Sequence, residues 1–143
     1  MNRQKMRFCS ISMFVVLLLS LATPAFATET REDSRIKTYT ADLSANQSGN
    51  LIVFFTVTAS STMDTIGANR IVIQHYDGTR WVDEYIFTVK NAPEMQVTQS
   101  VRHSAAISYT PLNDGLYQAS VTVIAKDASG LSAKPLLSDE VTV

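Results

Sequence analysis

The chain contains almost no cysteine: one residue, Cys9, among 143. Cys9 stands at the start of the N-terminal apolar run, whereas a lipoprotein signal places its cysteine after such a run, so we expect no lipid anchor. The rest of the chain therefore has no disulfide, thiolate metal site or cysteine nucleophile. A small exported domain of this kind must be stabilised by its hydrophobic core alone.

The N-terminus also lacks an apolar run long enough to cross a membrane. The run at residues 11–22 is well short of the roughly 20 residues that span a bilayer. Basic residues precede this run and small residues follow it, at the spacing of a signal-peptidase site: Arg3, Lys5 and Arg7, then Ala25 and Ala27. This pattern is typical of a cleaved signal peptide. We expect residues 1–27 to be removed, leaving no membrane anchor, and the protein to be extracellular, either released or loosely associated with the cell wall.

An excess of positive charge is absent as well. Beyond residue 27 the chain carries 9 basic and 13 acidic residues, a formal charge of −4, with no basic cluster. Nucleic acid and anionic membrane surfaces are therefore not expected as partners. No group of reactive side chains points to a cofactor, and none is expected.

Helical periodicity is missing after residue 27, and an alternation of apolar and polar residues takes its place. The clearest example is residues 113–127, where one side of a strand is apolar: Tyr117, Ala119, Val121, Val123 and Ala125. A period of two indicates a half-buried strand whose apolar side needs a second layer to cover it.

The same alternation divides the chain into about seven short strands. Residues 28–35 are a charged, flexible lead-in, and the domain is expected to span residues 36–143. The predicted strands are residues 36–43, 51–59, 70–76, 81–89, 103–110, 113–127 and 131–143, the last of them interrupted at Pro135, and residues 95–102 are expected to add a short edge strand. Asp77-Gly78 predicts a tight hairpin between the third and the fourth. Residues 60–69, rich in turn-forming residues, are expected to be a loop. The strand at 51–59 is apolar on both sides, so we expect Ile52 and Phe54 to be covered.

Many short strands at regular spacing are typical of an all-β, antiparallel, two-sheet Greek-key sandwich. Tyr117 follows the turn residues Asp114 and Gly115 and begins a long strand. This arrangement resembles the tyrosine corner of such sandwiches, in which the hydroxyl bonds to the backbone a few residues upstream. The chain is in this respect similar to immunoglobulin-like and fibronectin type III-like domains, a resemblance that concerns the fold and says little about function.

A closer resemblance is to an uncharacterised family of small secreted proteins from clostridial-type Gram-positive bacteria. The runs that carry it are STMDTIGA at residues 61–68, IVIQ at 71–74 followed by Trp81, and GLYQA at 115–119. The resemblance implies a fold and a compartment, but it supplies no catalytic residue.

Reactive side chains are few. His75 and His103 lack the close spacing of metal-binding pairs, so no metal site is expected. No Gly-x-Ser-x-Gly elbow is present, and Asp83 and Glu84 are adjacent, which directs them to opposite sides of a strand. The loop aspartates Asp77, Asp114 and Asp127 are explained by turn formation better than by calcium binding. No catalytic residue is therefore expected.

The remaining candidates are aromatic residues near the predicted hairpin: Tyr76, Trp81 and Tyr85. Exposed rings of this kind can stack on sugars, although Trp81 is expected to be a core residue. We predict a non-enzymatic binding or interaction module with an unknown protein or glycan partner outside the cell. The alternatives are a carbohydrate- or cell-wall-binding domain that uses these three rings, and a secreted inhibitor or toxin-like partner that acts through the loop at 60–69.

Overall fold

A computed structural model describes residues 35–143 of the chain. The predicted signal peptide, its cleavage residues Ala25 and Ala27, and nearly all of the predicted lead-in lie outside these residues.

Seven strands form one hydrogen-bonded antiparallel sheet. They are β1 (Ile36–Ala45), β2 (Leu51–Tyr76), β3 (Trp81–Phe87), β4 (Gln96–Tyr109), β5 (Leu116–Asp127), β6 (Gly130–Leu137) and β7 (Val141–Thr142). A 3-10 turn at Pro93–Met95 precedes β4, and no α-helix occurs between residues 35 and 143. The predicted all-β, antiparallel class is confirmed.

The sheet is organised around β2, which is 26 residues long. A straight strand of that length would extend ~86 Å, far beyond the dimensions of a domain of ~110 residues, so β2 has to turn. Its pairing with β4 shifts register between Thr58 and Met63. The shift divides the sheet into two parts, each with its own neighbours along β2.

The three-strand section consists of β1, residues 51–59 of β2 and residues 102–109 of β4. The four-strand section consists of β3, residues 63–76 of β2, β5 and β6. Residues 96–100 of β4 pair with β2 near the turn, and β7 pairs with the first residues of β5.

Side chains from both sections meet in one hydrophobic core. The predicted inward set of β5 is confirmed, because each of its five members is fully buried. Alternate residues of β2 face them, and burial of each such side chain contributes roughly 1.5–3 kcal/mol. The largest fully buried side chains include Tyr117, Phe55, Leu51, Met63, Ile66, Ile71, Ile73 and Met95.

The prediction of a loop at residues 60–69 is wrong. The segment continues β2, and the buried side chains of Met63 and Ile66 belong to the core. Strands β4 and β5 pair with it on its two sides. These ladders hold residues 63 and 65–68 in the sheet, and this tertiary context overrides the turn preference of the serine, asparagine and glycine residues of the segment.

Two predicted interruptions are also wrong. Residues 95–102 and 103–110 form the single strand β4 instead of two strands. Pro135 lies inside β6, and the break comes at residues 138–140. Proline is tolerated there because β6 is an edge strand, paired with β5 alone among the described strands.

The outer side of the three-strand section is less covered than expected. Phe54 is 45% exposed at the centre of this side, between Asp42 and Ala106 on the neighbouring strands. Ile52 is partly exposed. The expectation that both would be covered therefore fails for Phe54, since nothing within residues 35–143 packs over this side of the sheet.

Candidate functional site

The hairpin joining β2 and β3 is confirmed, with residues 77–80 as its loop. The Asp77 carboxylate closes the loop by accepting hydrogen bonds from the backbone N–H groups of Thr79 and Arg80, at 2.8 and 2.9 Å. These two bonds, with that from Arg80 the stronger influence, lower the pKa of Asp77. Asp77 is therefore accounted for by turn formation.

Tyr76 and Trp81 flank this loop and lie directly opposite each other on β2 and β3. Their ring centroids are 5.4 Å apart at an interplanar angle of 52°. Alternate residues of β2, Ile71 and Ile73, point into the core, so Tyr76 and its partner point away from it. The expectation that Trp81 is a core residue is therefore wrong, and the side chain is only partly buried.

A β-bulge in β3 separates the third aromatic candidate from this pair. Ile73 pairs with Tyr85 and Gln74 pairs with Asp83, which leaves Glu84 as an extra residue. The extra residue reverses the sides of the strand, so Asp83 points outward with Trp81 while Tyr85 points inward. Without the bulge, Trp81 and Tyr85 would share a side, as simple alternation predicts.

Tyr85 instead belongs to an aromatic cluster at the open margin of the core. Its ring stacks on that of Tyr109, with centroids 5.2 Å apart and an interplanar angle of 28°. Phe87 contacts both rings edge-on. Tyr85 remains 40% exposed because β3 is an edge strand. The structure thus brings two of the three predicted ring residues together and places the third on the opposite side of the hairpin.

A ladder of polar side chains crosses three strands beside the Tyr76–Trp81 pair. The Gln118 amide donates to the Gln74 side-chain oxygen, and the Gln74 amide donates to the Asp83 carboxylate, each at 2.8 Å. Because the three residues occupy one cross-strand row, their side chains line up from β5 to β3. Single-sequence reasoning missed this ladder, although the alternation of polar residues in each strand contains the signal.

An apolar row lies on the other side of the ladder from the ring pair. Ile86 and Leu137 are exposed at its two ends, and Val72 lies between them and is buried by its neighbours. We name this surface the aromatic face, defined by Tyr76, Trp81, Asp83, Gln74, Gln118, Ile86 and Leu137.

The turn before β5 has the geometry that the resemblance to a tyrosine corner implies. The Tyr117 hydroxyl donates to the Asn113 carbonyl, four residues upstream, at 2.7 Å. The ring of His75 packs on that of Tyr117, with centroids 4.8 Å apart. A Cβ on Gly115 would lie 2.6 Å from His75 Nε2, and the φ of Gly115 is +142°. Glycine is therefore required at this position. Asp114 is exposed in the same turn.

Glu84, the bulged residue, reaches toward this corner. Its Oε1 atom lies 3.4 Å from the Tyr117 hydroxyl, whereas Oε2 is buried without a hydrogen-bond partner among the described residues. Burial, followed by the Glu84 charge, raises the pKa of Tyr117 to about 12. Burial raises the pKa of Tyr109 as well.

The other reactive groups stay apart. His103 contacts the Phe55 ring and bonds through Nε2 to the Glu94 carbonyl at 2.7 Å, away from His75. Asp127 bonds to Arg35 and Ser129. Between residues 35 and 143, no group of three His, Cys, Asp or Glu residues is placed to hold a metal ion. The same residues contain no helix long and apolar enough to cross a membrane.

Comparison with known proteins adds no relative: no family model, curated protein or solved structure matches this chain.

Proposed function

We propose that the chain folds as a Greek-key sandwich of the immunoglobulin-like or fibronectin type III-like kind. The three-strand and four-strand sections would be its two layers, connected through the turn in β2. Strands β1 and β5 approach each other without pairing, and the side chains of both sections fill one core. The hydrogen bond from Tyr117 to the Asn113 carbonyl gives further support.

We further propose that the protein is a secreted, non-enzymatic binding module that uses the aromatic face. Secretion is inferred from residues 1–27. The carrying observation is the Tyr76–Trp81 ring pair, in which Tyr76 is exposed and Trp81 is partly exposed, beside the Asp83–Gln74–Gln118 ladder. Ligand-binding sites commonly combine aromatic side chains with a few fixed polar groups that orient the ligand. Binding of this kind requires no reactive side chain.

A carbohydrate is the ligand class that this surface fits best. Sugar rings present apolar C–H faces that stack on aromatic rings, and hydroxyl groups that bond to amides and carboxylates. The hydrogen bonds within the ladder hold Gln74 and Asp83 in place before a ligand arrives, which reduces the entropy cost of binding. A glycan of the cell surface would therefore lie across β3 and β2, with its ring over Trp81.

The experiment is a glycan array and a peptidoglycan pull-down with the purified protein and three variants. Trp81→Ala and Tyr76→Ala should each reduce binding at least about fivefold, since a stacked ring contributes roughly 1–3 kcal/mol by analogy with bases on aromatic platforms. Phe54→Ala is the matched control, because it removes an exposed aromatic ring from the other section. Binding that survives both aromatic-face substitutions would contradict this ligand site.

The absence of an enzymatic role is tested separately. We expect no turnover of a panel of ester, peptide and glycoside substrates by the purified protein. Turnover that a single point substitution abolishes would show that the protein is an enzyme.

The alternative of an inhibitor or toxin-like role was based on a loop at residues 60–69. Of residues 60–69, residues 63 and 65–68 pair with β4, β5 or both, so most of the segment belongs to the sheet and does not form the expected loop.

A further inference from the structure

Five strands of the sheet have one unpaired edge within residues 35–143: β1, β3, β4, β6 and β7. Unpaired edges promote association, and proteins usually block them with charges, proline, bulges or short strands. Four of the five are blocked in this way: β1 by Lys37 and Asp42, β3 by its short length and its bulge at Glu84, β6 by Lys134 and Pro135, and β7 by its length of two residues. Residues 104–109 of β4 carry none of these features.

The direction of the backbone groups of β4 follows from the first hairpin. Asn46 N–H donates to the Asn50 carbonyl, so these two residues form a hydrogen-bonded pair between β1 and β2. In an antiparallel ladder, hydrogen-bonded pairs alternate with non-hydrogen-bonded pairs. The N–H and C=O groups of the even-numbered residues 52–58 of β2 therefore point toward β1. The N–H and C=O groups of the odd-numbered residues of β2 therefore bond to the odd-numbered residues of β4. The N–H and C=O groups of the even-numbered residues of β4 point away from β2, at the edge of the sheet.

Arg102 provides an independent check of this parity. Its N–H and its carbonyl both bond to the Ser100 hydroxyl, at 3.3 and 2.7 Å, so neither group bonds to β2. The same contacts block the edge at Arg102. The open window is therefore three residues, Ser104, Ala106 and Ser108, whose side chains are exposed and whose N–H and C=O groups are directed outward.

We infer that this window pairs with the same window of a second copy of the chain, antiparallel about a two-fold axis at Ala106. Ala106 would then bond to its own symmetry mate through two backbone hydrogen bonds. Ser104 of each copy would bond to Ser108 of the other through two more on each side of the axis. All six outward groups are satisfied, and the two three-strand sections join into one continuous sheet.

The side chains of the window favour a second copy over an unrelated strand. A foreign peptide added to an edge is recognised through pockets for its alternate side chains. Here the outer side offers serine and alanine, and the Ser104 hydroxyl is already bonded to Thr56 Oγ1 at 2.8 Å. Small, uncharged residues bring no like charges together across a two-fold axis, and the symmetry itself fixes the register.

The first test is sedimentation equilibrium of the purified protein over a range of concentrations. We expect a reversible monomer–dimer equilibrium. Ala106→Pro removes the N–H at the centre of the window, which points away from β2, so the dissociation constant should rise at least about tenfold. Ala106→Lys should do the same by placing two positive charges together at the axis.

Ala133→Lys is the matched control, because it makes the same substitution on the edge strand β6 and should leave the dimer intact. Circular dichroism establishes that each variant is folded. A protein that is monomeric at all concentrations overturns the inference, and so does a dimer that neither Ala106 substitution weakens.

Amide hydrogen exchange of the unaltered protein tests the register without any substitution. The amides of Ser104, Ala106 and Ser108 should exchange slowly at high concentration and fast at low concentration. Those of Ala105 and Ile107, which bond to β2, should be slow at both concentrations. Equal, concentration-independent exchange of all five amides would show that β4 does not pair with a second copy.

Discussion

The three-strand and four-strand sections differ in how regularly their strands alternate. In the three-strand section, residues 51–59 of β2 alternate without a bulge between buried and exposed positions. The four-strand section contains register shifts between Ala68 and Arg70 and at the bulged residue Glu84. A bulge redirects the side chains that follow it. Both sections build the core, and the irregular strands of the four-strand section also position particular outward groups, which is where we place the aromatic face.

The largest loss of stability is expected from a substitution in the three-strand section. Phe55→Ala removes a fully buried ring and should lower the free energy of unfolding by about 3–5 kcal/mol. Phe54→Ala, one residue earlier on the opposite side, should change it by less than about 0.5 kcal/mol. Urea denaturation of both variants provides the measurement. Similar losses for the two would show that the side chains of β2 do not alternate as described.

The next largest loss of stability is expected from a substitution in the turn before β5, in the four-strand section. Gly115→Ala should destabilise the protein by about 2 kcal/mol, because the new Cβ would clash with the His75 ring and the backbone has a positive φ. Gly78→Ala also has a positive φ but has free space around it, so it should cost less. Adding His75→Ala to the Gly115 variant should recover part of the loss. No recovery in the double variant would mean that the clash is not the cause.

Removing a single hydroxyl from the same corner tests the pKa of Tyr117. Tyr117→Phe should cost about 1 kcal/mol near neutral pH, through loss of the bond to the Asn113 carbonyl. The folded protein holds the pKa of Tyr117 at about 12, above its value of 10.0 in an unfolded chain. Its contribution is therefore complete below pH 10 and is lost as the pH rises toward 12.

The measurement is the midpoint of urea denaturation between pH 8 and pH 12 for both proteins. The stability difference between them should shrink across the upper half of that range. A difference that stays constant to pH 12 would contradict the raised pKa.

The smallest effect concerns the contact between the two sections. Arg35, at the start of β1, donates to Asp127, at the end of β5, at 3.0 Å. The Ser129 hydroxyl and then Arg35 lower the pKa of Asp127 to about 2. The stability that Asp127 contributes is thus present above pH 3.8 and is lost as the pH falls toward 2. Asp127→Asn should lower the stability slightly at pH 7 and flatten its pH profile between pH 4 and pH 2, so that the two proteins become equally stable at low pH. A variant with an unaltered acid profile would show that Asp127 does not contribute.

This contrast also explains how much could be predicted from the sequence. Strand β5 and the 70–89 hairpin were predictable because they alternate strictly and are bounded by turn residues. The bulge at Glu84 was not, since an inserted residue leaves no mark in the local pattern, and the sides of Trp81 and Tyr85 were misassigned as a result. The segment 60–69 was missed for a different reason. Its pairing with β4 and β5 depends on residues 30–60 positions away, which local propensity does not report.

The continuity of β2 has a consequence for how the protein responds to cutting. Most domains offer a surface loop near the middle of the chain where cleavage or circular permutation is tolerated. Here the midpoint of the chain from residue 35 to residue 143 falls close to the 3-10 turn before β4, whereas the junction of the two sections falls inside the continuous strand β2. A protease should thus remove neither section from the other, and new termini placed at residues 60–69 would leave both without a complete core.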